Sequence, residues 1–489
     1  MQADAKKIII NSLKRAVFLL LVLSSLTGLA WGAVNFFYLQ QFPETTTLIR
    51  LARTLKTSGE TGILYPAFLL ILITLVLDMP VRFYAPIFIA QLLLAFVSWY
   101  VFASVVRKGS KASDMLFSFL IITNPYALQC HLAVLEYSFA SSFLCLLTSF
   151  VIKFSREWKN IKESPGKVPA LDKAMTDISV VSLFWLLLSM TRREFVFIGA
   201  IPVIVLVVTI TRAFAVRESA ERGAGRKNES GGAEKRAIVT GAVKRSAPHL
   251  ILAAAFAAIV IIIDSLFATG EKISALDFTK RSLFYRVAAT SYFYEPNSVP
   301  DELKSIVNGQ VLYLAENDPG LIRDTFTKEA EKNEGKDAVT DLYLDLFERA
   351  FSGNKKQTVK ETVLDLAGYI FPPARTEYAL EGNGFPGYVP GNMEIMGRTT
   401  PIVAKYYIRL FSILLFIMVP VAAFFAVLNK NRRRKLSVFL LPALVIILQA
   451  LFYTMLGANV WDHRKALFAT CILTAFVLRE VSFECEDQG

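Results

Sequence analysis

From Ala16 to Tyr38 the chain reads AVFLLLVLSSLTGLAWGAVNFFY, an apolar run without a charged residue. At about 1.5 Å per helical residue such a run reaches across the roughly 30 Å hydrocarbon core of a bilayer. It is too long for the apolar centre of a signal peptide, lacks a small-residue cleavage site after it, and is followed by further runs of its kind. It therefore reads as a retained first membrane helix. Phe83–Val106, Leu132–Phe154 and Leu250–Phe267 repeat the pattern. Over 489 residues, apolar types reach 54% and charged types fall to 19%, an apolar excess beyond that of ordinary soluble domains. The expected fold class is an all-α polytopic membrane protein.

The net charge of +12 invites a nucleic-acid reading, but the basic residues lie in short segments between apolar runs. Lys6, Lys7, Lys14 and Arg15 precede the first run, Arg107, Lys108 and Lys111 follow a second, and Lys430 with Arg432 to Lys435 separates two late ones. Cationic loops stay on the cytoplasmic side, so these clusters set orientation and imply no nucleic-acid partner. Ala67–Leu77 is apolar but only about eleven residues long, short for a span. Taken as an outer juxtamembrane helix, it leaves every basic cluster inside. About ten transmembrane helices follow, near 16–38, 83–106, 114–129, 131–153, 177–191, 195–211, 249–268, 406–428, 436–457 and 465–481. Both termini are then cytoplasmic, and the expected location is the cell membrane.

This layout gives an N-terminal transmembrane module over 1–268, with a first outer loop at 39–82 and a cytoplasmic loop at 212–248. A mainly helical extracytoplasmic domain at 269–405 is inserted after the seventh span, and a C-terminal transmembrane module covers 406–489. Ser155–Lys173 and 212–245 are polar and Gly-, Ser- and Lys-rich, with too few apolar residues to bury a core. In the inserted domain, Leu303, Ile306, Val307, Val311 and Leu314 recur at helical spacing, as do Leu342, Leu344, Phe347 and Phe351, then Val359, Val363, Leu364 and Leu366; packed helices are expected there. From Phe371 to Pro401 the pattern breaks into Pro, Gly, Tyr and Asn, which reads as a lid-like loop or as plain turns. Cys130, Cys145, Cys471 and Cys485 imply no disulfide framework.

No phosphate-cradling Gly-rich loop, His-Glu-x-x-His or Gly-x-Ser-x-Gly is present, and only His131, His249 and His463 supply imidazoles. The candidates are instead ionisable residues at the outer ends of spans, where charge is costly. Glu44 opens the segment Phe42-Pro-Glu-Thr-Thr-Thr-Leu-Ile-Arg-Leu-Ala-Arg-Thr-Leu, whose Leu48, Leu51, Ala52 and Leu55 share one helical face. It is either functional or a carboxylate favoured by a helix N-terminus. Glu136 is expected about one and a half turns inside a span, either paired or facing a polar cavity. Thr191-Arg192-Arg193-Glu194 forms a tight turn with either an internal ion pair or a free cation. Trp461-Asp462-His463-Arg464-Lys465 begins the last span, as an interfacial anchor or as part of a site. Together they place two carboxylates, two cationic clusters and a capping domain on one face of the membrane. That set suits an anionic lipid-linked substrate, because guanidinium forks bind phosphate and a carboxylate accepts a hydroxyl proton.

In this order and sidedness the chain resembles the GT-C superfamily of membrane glycosyltransferases, which use polyprenyl-phosphate sugars. Glu44, Ala52-Arg53-Thr54-Leu55, Gly59 and Tyr65-Pro66 follow one another as the acidic residue, Ala-Arg-x-Leu-like helix, Gly and Tyr-Pro element of that family's first outer loop. Ala67–Leu77 matches its juxtamembrane helix. Asn124-Pro125 with Glu136 resembles its second outer loop, Thr191-Arg192-Arg193-Glu194 its Thr-Arg-Pro-Glu-type turn, and Asp462-His463-Arg464 its late Arg-Tyr-type motif. The family's acid is usually Asp; here Glu44 is followed by Thr45. The resemblance implies inverting sugar transfer from a lipid-linked donor to an unspecified acceptor hydroxyl at the outer face of the membrane, with the lipid bilayer as a further partner. Glu44 would be the base, Arg192 and Arg464 the donor-phosphate ligands, and Glu136 an acceptor-orienting group or a ligand for Mg²⁺ or Mn²⁺. Arg53, Glu194, Asp462 and His463 would support them. The competing classes are an oligosaccharide polymerase or ligase, a transporter, and a catalytically silent binder of lipid-linked glycans.

Overall fold

In the computed structural model the described residues are 2–36, 43–55, 61–75, 84–107, 109–160, 171–192, 194–223, short pieces of 251–262, 352–353, 355–370, 410–427, 436–455 and 466–481. Their regular elements are all helices. In chain order these are α1 (Gln2–Phe36), α2 (Pro43–Thr54), α3 (Leu64–Leu75), α4 (Tyr84–Arg107), α5 (Lys111–Ile122), α6 (Pro125–His131), α7 (Tyr137–Asn160), α8 (Leu171–Thr191), α9 (Phe195–Gly223) and α10 (Lys355–Ile370). Then come α11 (Leu410–Val427), a 3₁₀ turn at Leu436–Phe439, α12 (Leu440–Met455) and α13 (Leu467–Val481). Among the described residues seven helices are long and apolar enough to cross a membrane, which makes this a multi-pass membrane protein. They lie at Ile8–Ala30, Pro86–Arg107, Tyr137–Lys159, Lys173–Thr191, Phe195–Phe214, Leu410–Val427 and Leu436–Tyr453.

Three of the ten expected spans are outside that count. The run at 114–129 is broken into α5 and α6 at Thr123–Asn124. Pro125 causes the break, since it lacks an N–H and disfavours helical geometry at the residue before it. Asn124 makes the junction satisfiable: its Oδ1 accepts from Ala127 N at 2.9 Å, capping α6, while its Nδ2 donates to Ile121 O at 2.5 Å, closing α5. The region 249–268 lies mostly outside the described residues, and α13 spans 15 described residues. The short α3 reaches about 18 Å at 1.5 Å per residue, too little to span.

Two loops are shorter than expected. Helix α7 runs to Asn160 and α9 to Gly223, so Ser155–Asn160 and Arg212–Gly223 are helical. Packing extends them, because buried Trp158 packs against Phe214 with tilted rings whose centroids are 5.5 Å apart.

The chain divides into two compact units. The first comprises Met1–Thr269, Tyr378–Val445 and Thr470–Gly489. Its α4, α7, α8 and α9 pack side by side, α1 lies against α5 and α6, and α2 against α3. Gly28 and Gly32 let α1 approach closely: a Cβ on Gly28 would strike the carbonyl of Thr123, and one on Gly32 would press into Leu128. Leu48, Ala52, Tyr65, Leu69, Phe88, Leu128 and Phe139 join α2, α3, α4, α6 and α7 in one core cluster. The second unit comprises Gly270–Glu377 and Ile446–Ala469. There the spacing of Val359 and Val363 does fall on a helix, α10, with Tyr369 buried and its ring 5.6 Å from that of Tyr453. Val359, Val363 and Leu364 are nevertheless exposed rather than packed, and the other expected helices at 303–351 and the loop at 371–401 lie outside the described residues.

Candidate functional site

Three segments that are remote in sequence meet beside the start of α7. The first is Thr61-Gly62-Ile63, which leads into α3. The second is Leu132–Glu136, the irregular link between α6 and α7. The third is the turn from Thr191 to Glu194 between α8 and α9. Backbone bonds fix two of them together. Thr61 and Arg192 form an antiparallel bridge, and Gly62 N donates to Thr191 O at 2.9 Å. Only glycine fits at position 62, because a Cβ there would run into the backbone of Met190.

Side chains tie in the second, the Leu132–Glu136 link. Arg192 is 1% exposed; its Nη1 donates to Glu136 Oε1 at 2.6 Å, and its Nε donates to Glu194 Oε1. The guanidinium also lies over the Tyr137 ring, 4.2 Å from its centroid. Thr61 Oγ1 lies 3.5 Å from Glu136 Oε1, and both carboxylates are buried. Glu136 does not lie inside a span as expected. It immediately precedes α7 and its carbonyl accepts from Ala140 N, so it stands at a helix N-terminus, where the backbone dipole favours its charge.

The expected site residues therefore separate into groups. Glu136, Arg192 and Glu194 are brought together. Glu44 lies in the first turn of α2, and its side chain is outside the described residues. Arg53 is on the last turn of α2 and exposed. Arg193, Asp462, His463 and Arg464 are outside the described residues. Glu136 and Glu194 share a guanidinium where a divalent ion would have to sit, so this acid pair does not fit Mg²⁺ or Mn²⁺. Among the described residues no group of three or more His, Cys, Asp or Glu is arranged to hold a metal.

Sequence reasoning missed a second buried polar layer under this cluster. Gln91 of α4 binds Tyr65, the His131 carbonyl at the end of α6 and the Ala133 carbonyl of the α6–α7 link, and His131 Nδ1 lies 2.7 Å from Ser138 Oγ. A lone glutamine inside the apolar run Phe83–Val106 was the available signal, since a polar group there must find partners. Fold and site together define a class: a multi-pass helical membrane protein with a buried ion cluster joining its inter-helix loops. Compared with known proteins, the chain matches no family model, no curated protein and no solved structure.

Proposed function

We propose that this protein is a GT-C-like glycosyltransferase that moves a sugar from a polyprenyl-phosphate donor to an acceptor hydroxyl at the outer face of the cell membrane. One observation carries the reading. The family resemblance singles out the Tyr65-Pro66 element, Glu136 and the Thr191–Glu194 turn. The Thr61–Ile63 segment that leads into Tyr65-Pro66, Glu136 and that turn are joined by a backbone bridge and a buried ion pair. The reading includes cytoplasmic termini and about ten spans, with α3 along the outer interface.

In this mechanism Glu44 removes the acceptor proton as the hydroxyl oxygen bonds to the anomeric carbon. The bond from that carbon to the phosphate oxygen breaks, its electron pair leaves with the polyprenyl phosphate, and configuration inverts. Arg192 holds the loops that frame the reaction, because two carboxylates already compensate its charge. The phosphate ligand is then Arg464, with Arg53 in support. That same compensation favours a second reading, a catalytically silent binder of lipid-linked glycans.

The deciding experiment is transfer of labelled sugar from a panel of short-chain polyprenyl-phosphate donors by purified protein, wild type against Glu44→Gln. Transfer that disappears in the variant supports the enzyme with Glu44 as base. Donor binding without turnover in the wild type selects the silent reading, and neither binding nor turnover rejects both.

A further inference from the structure

Gln91 is fully buried on α4, where an amide is costly unless its polar atoms are satisfied. It meets that condition with three bonds. Its Nε2 donates to His131 O at 2.7 Å and to Ala133 O at 2.9 Å, and its Oε1 accepts from the Tyr65 hydroxyl at 2.7 Å. The two carbonyls come from the end of α6 and the irregular link beyond it, where a helix C-terminus leaves acceptors without intrahelical donors. A single side chain thus fastens α3 and the Leu132–Glu136 link to α4. The Tyr65 ring adds an edge contact to Phe139, with centroids 5.3 Å apart, just beyond Glu136 in α7.

We propose that Tyr65 and Gln91 are positioning residues: they lock the Leu132–Glu136 link to α3, so that the seat of α3 sets where Glu136 meets Arg192. The functional weight of this lock rests on reading the Glu136–Arg192 cluster as the frame of a transfer site. Its mechanical content does not, because Gln91 binds Ala133 O inside the link and His131 O at the α6 end that leads into it. A lipid-linked substrate displacing α3 would move the carboxylate through this joint.

The test uses the full chain in detergent carrying Cys485→Ser, with one reporter thiol introduced by Thr61→Cys beside Glu136 or by Ser182→Cys in the buried middle of α8. Maleimide labelling is followed by peptide mass spectrometry. Tyr65→Phe keeps the ring and removes one hydrogen bond, so labelling at position 61 should rise about fivefold while position 182 stays silent. Gln91→Leu should raise it further. No rise at 61 in either variant, or an equal rise at 182, overturns the proposal; if Gln91→Leu does not fold, Tyr65→Phe alone decides it. Where sugar transfer is measurable, Tyr65→Phe should lower kcat and leave the donor KM unchanged. Absence of transfer in the wild type counts against the proposed enzyme and leaves the labelling result standing.

Discussion

The α7–α8 pair carries polar contacts at both of its ends, and the two ends are built differently. Beside Tyr137 and Thr191, the buried Arg192 bridges Glu136 and Glu194 and binds chain that is not helical. Beside Trp158 and Lys173, polar groups connect helices that are already regular: Trp158 Nε1 donates to Asp177 Oδ2 at 2.9 Å, and Lys173 pairs with Glu157 at 2.6 Å with side chains 40% and 36% exposed. A regular helix satisfies its own backbone, so side-chain bonds at the second end add only to packing. At the first end they are what gives the loops a shape. The ion cluster belongs to the architecture of the site before it belongs to any chemistry.

That contrast breaks if the two ends respond alike to mutation. Arg192→Met should do most, because it leaves two buried carboxylates facing each other. A loss of about 3–5 kcal/mol is expected, read as a large drop in the thermal unfolding midpoint in detergent or as failure to fold. Gly62→Ala should cost about 1–3 kcal/mol by forcing the Thr61 segment off the backbone of Met190, measured the same way. At the other end, Trp158→Phe keeps most of the packing on Phe214 and removes one hydrogen bond to Asp177; about 1–2 kcal/mol is expected. Glu157→Gln should be smallest, at roughly 0.2–1 kcal/mol, because the Lys173 pair is solvent-screened. Repeating that last measurement in high salt should erase the difference from wild type. An effect of Glu157→Gln as large as that of Arg192→Met would remove the distinction between the ends.

The helices could be read from the sequence wherever their cause is local. Apolar runs give α1, α4 and α9, the shared face of Leu48, Leu51 and Ala52 gives α2, and the tight turn at Thr191–Glu194 lies where the residue pattern puts it. The break at Asn124 was hidden because summed hydropathy carries no record of backbone geometry, although Pro125 was in plain view. Reading 114–129 and 131–153 as straight spans also carried Glu136 into a helix that actually begins one residue later. Within the candidate site, the residue types were recognisable as unusual for their position, but their partners were not. Whether Arg192 meets a phosphate or Glu136 depends on how α6 ends and α7 begins, over fifty residues earlier in the chain. The pairing of Gln91 with Tyr65 is non-local in the same way.

The glycines of α1 have a consequence for how the protein is made. Gly28 and Gly32 fit against Thr123 and Leu128, a surface that leaves the ribosome roughly a hundred residues after α1 itself, or about 5–20 seconds later at usual synthesis rates. Through that interval the glycine face of α1 lacks these partners. The arrival of the α5–α6 junction gives that face its seat. Helix α1 is thus synthesised well before the surface that seats it, and any substitution that enlarges Gly28 should act on biogenesis before it acts on the finished molecule.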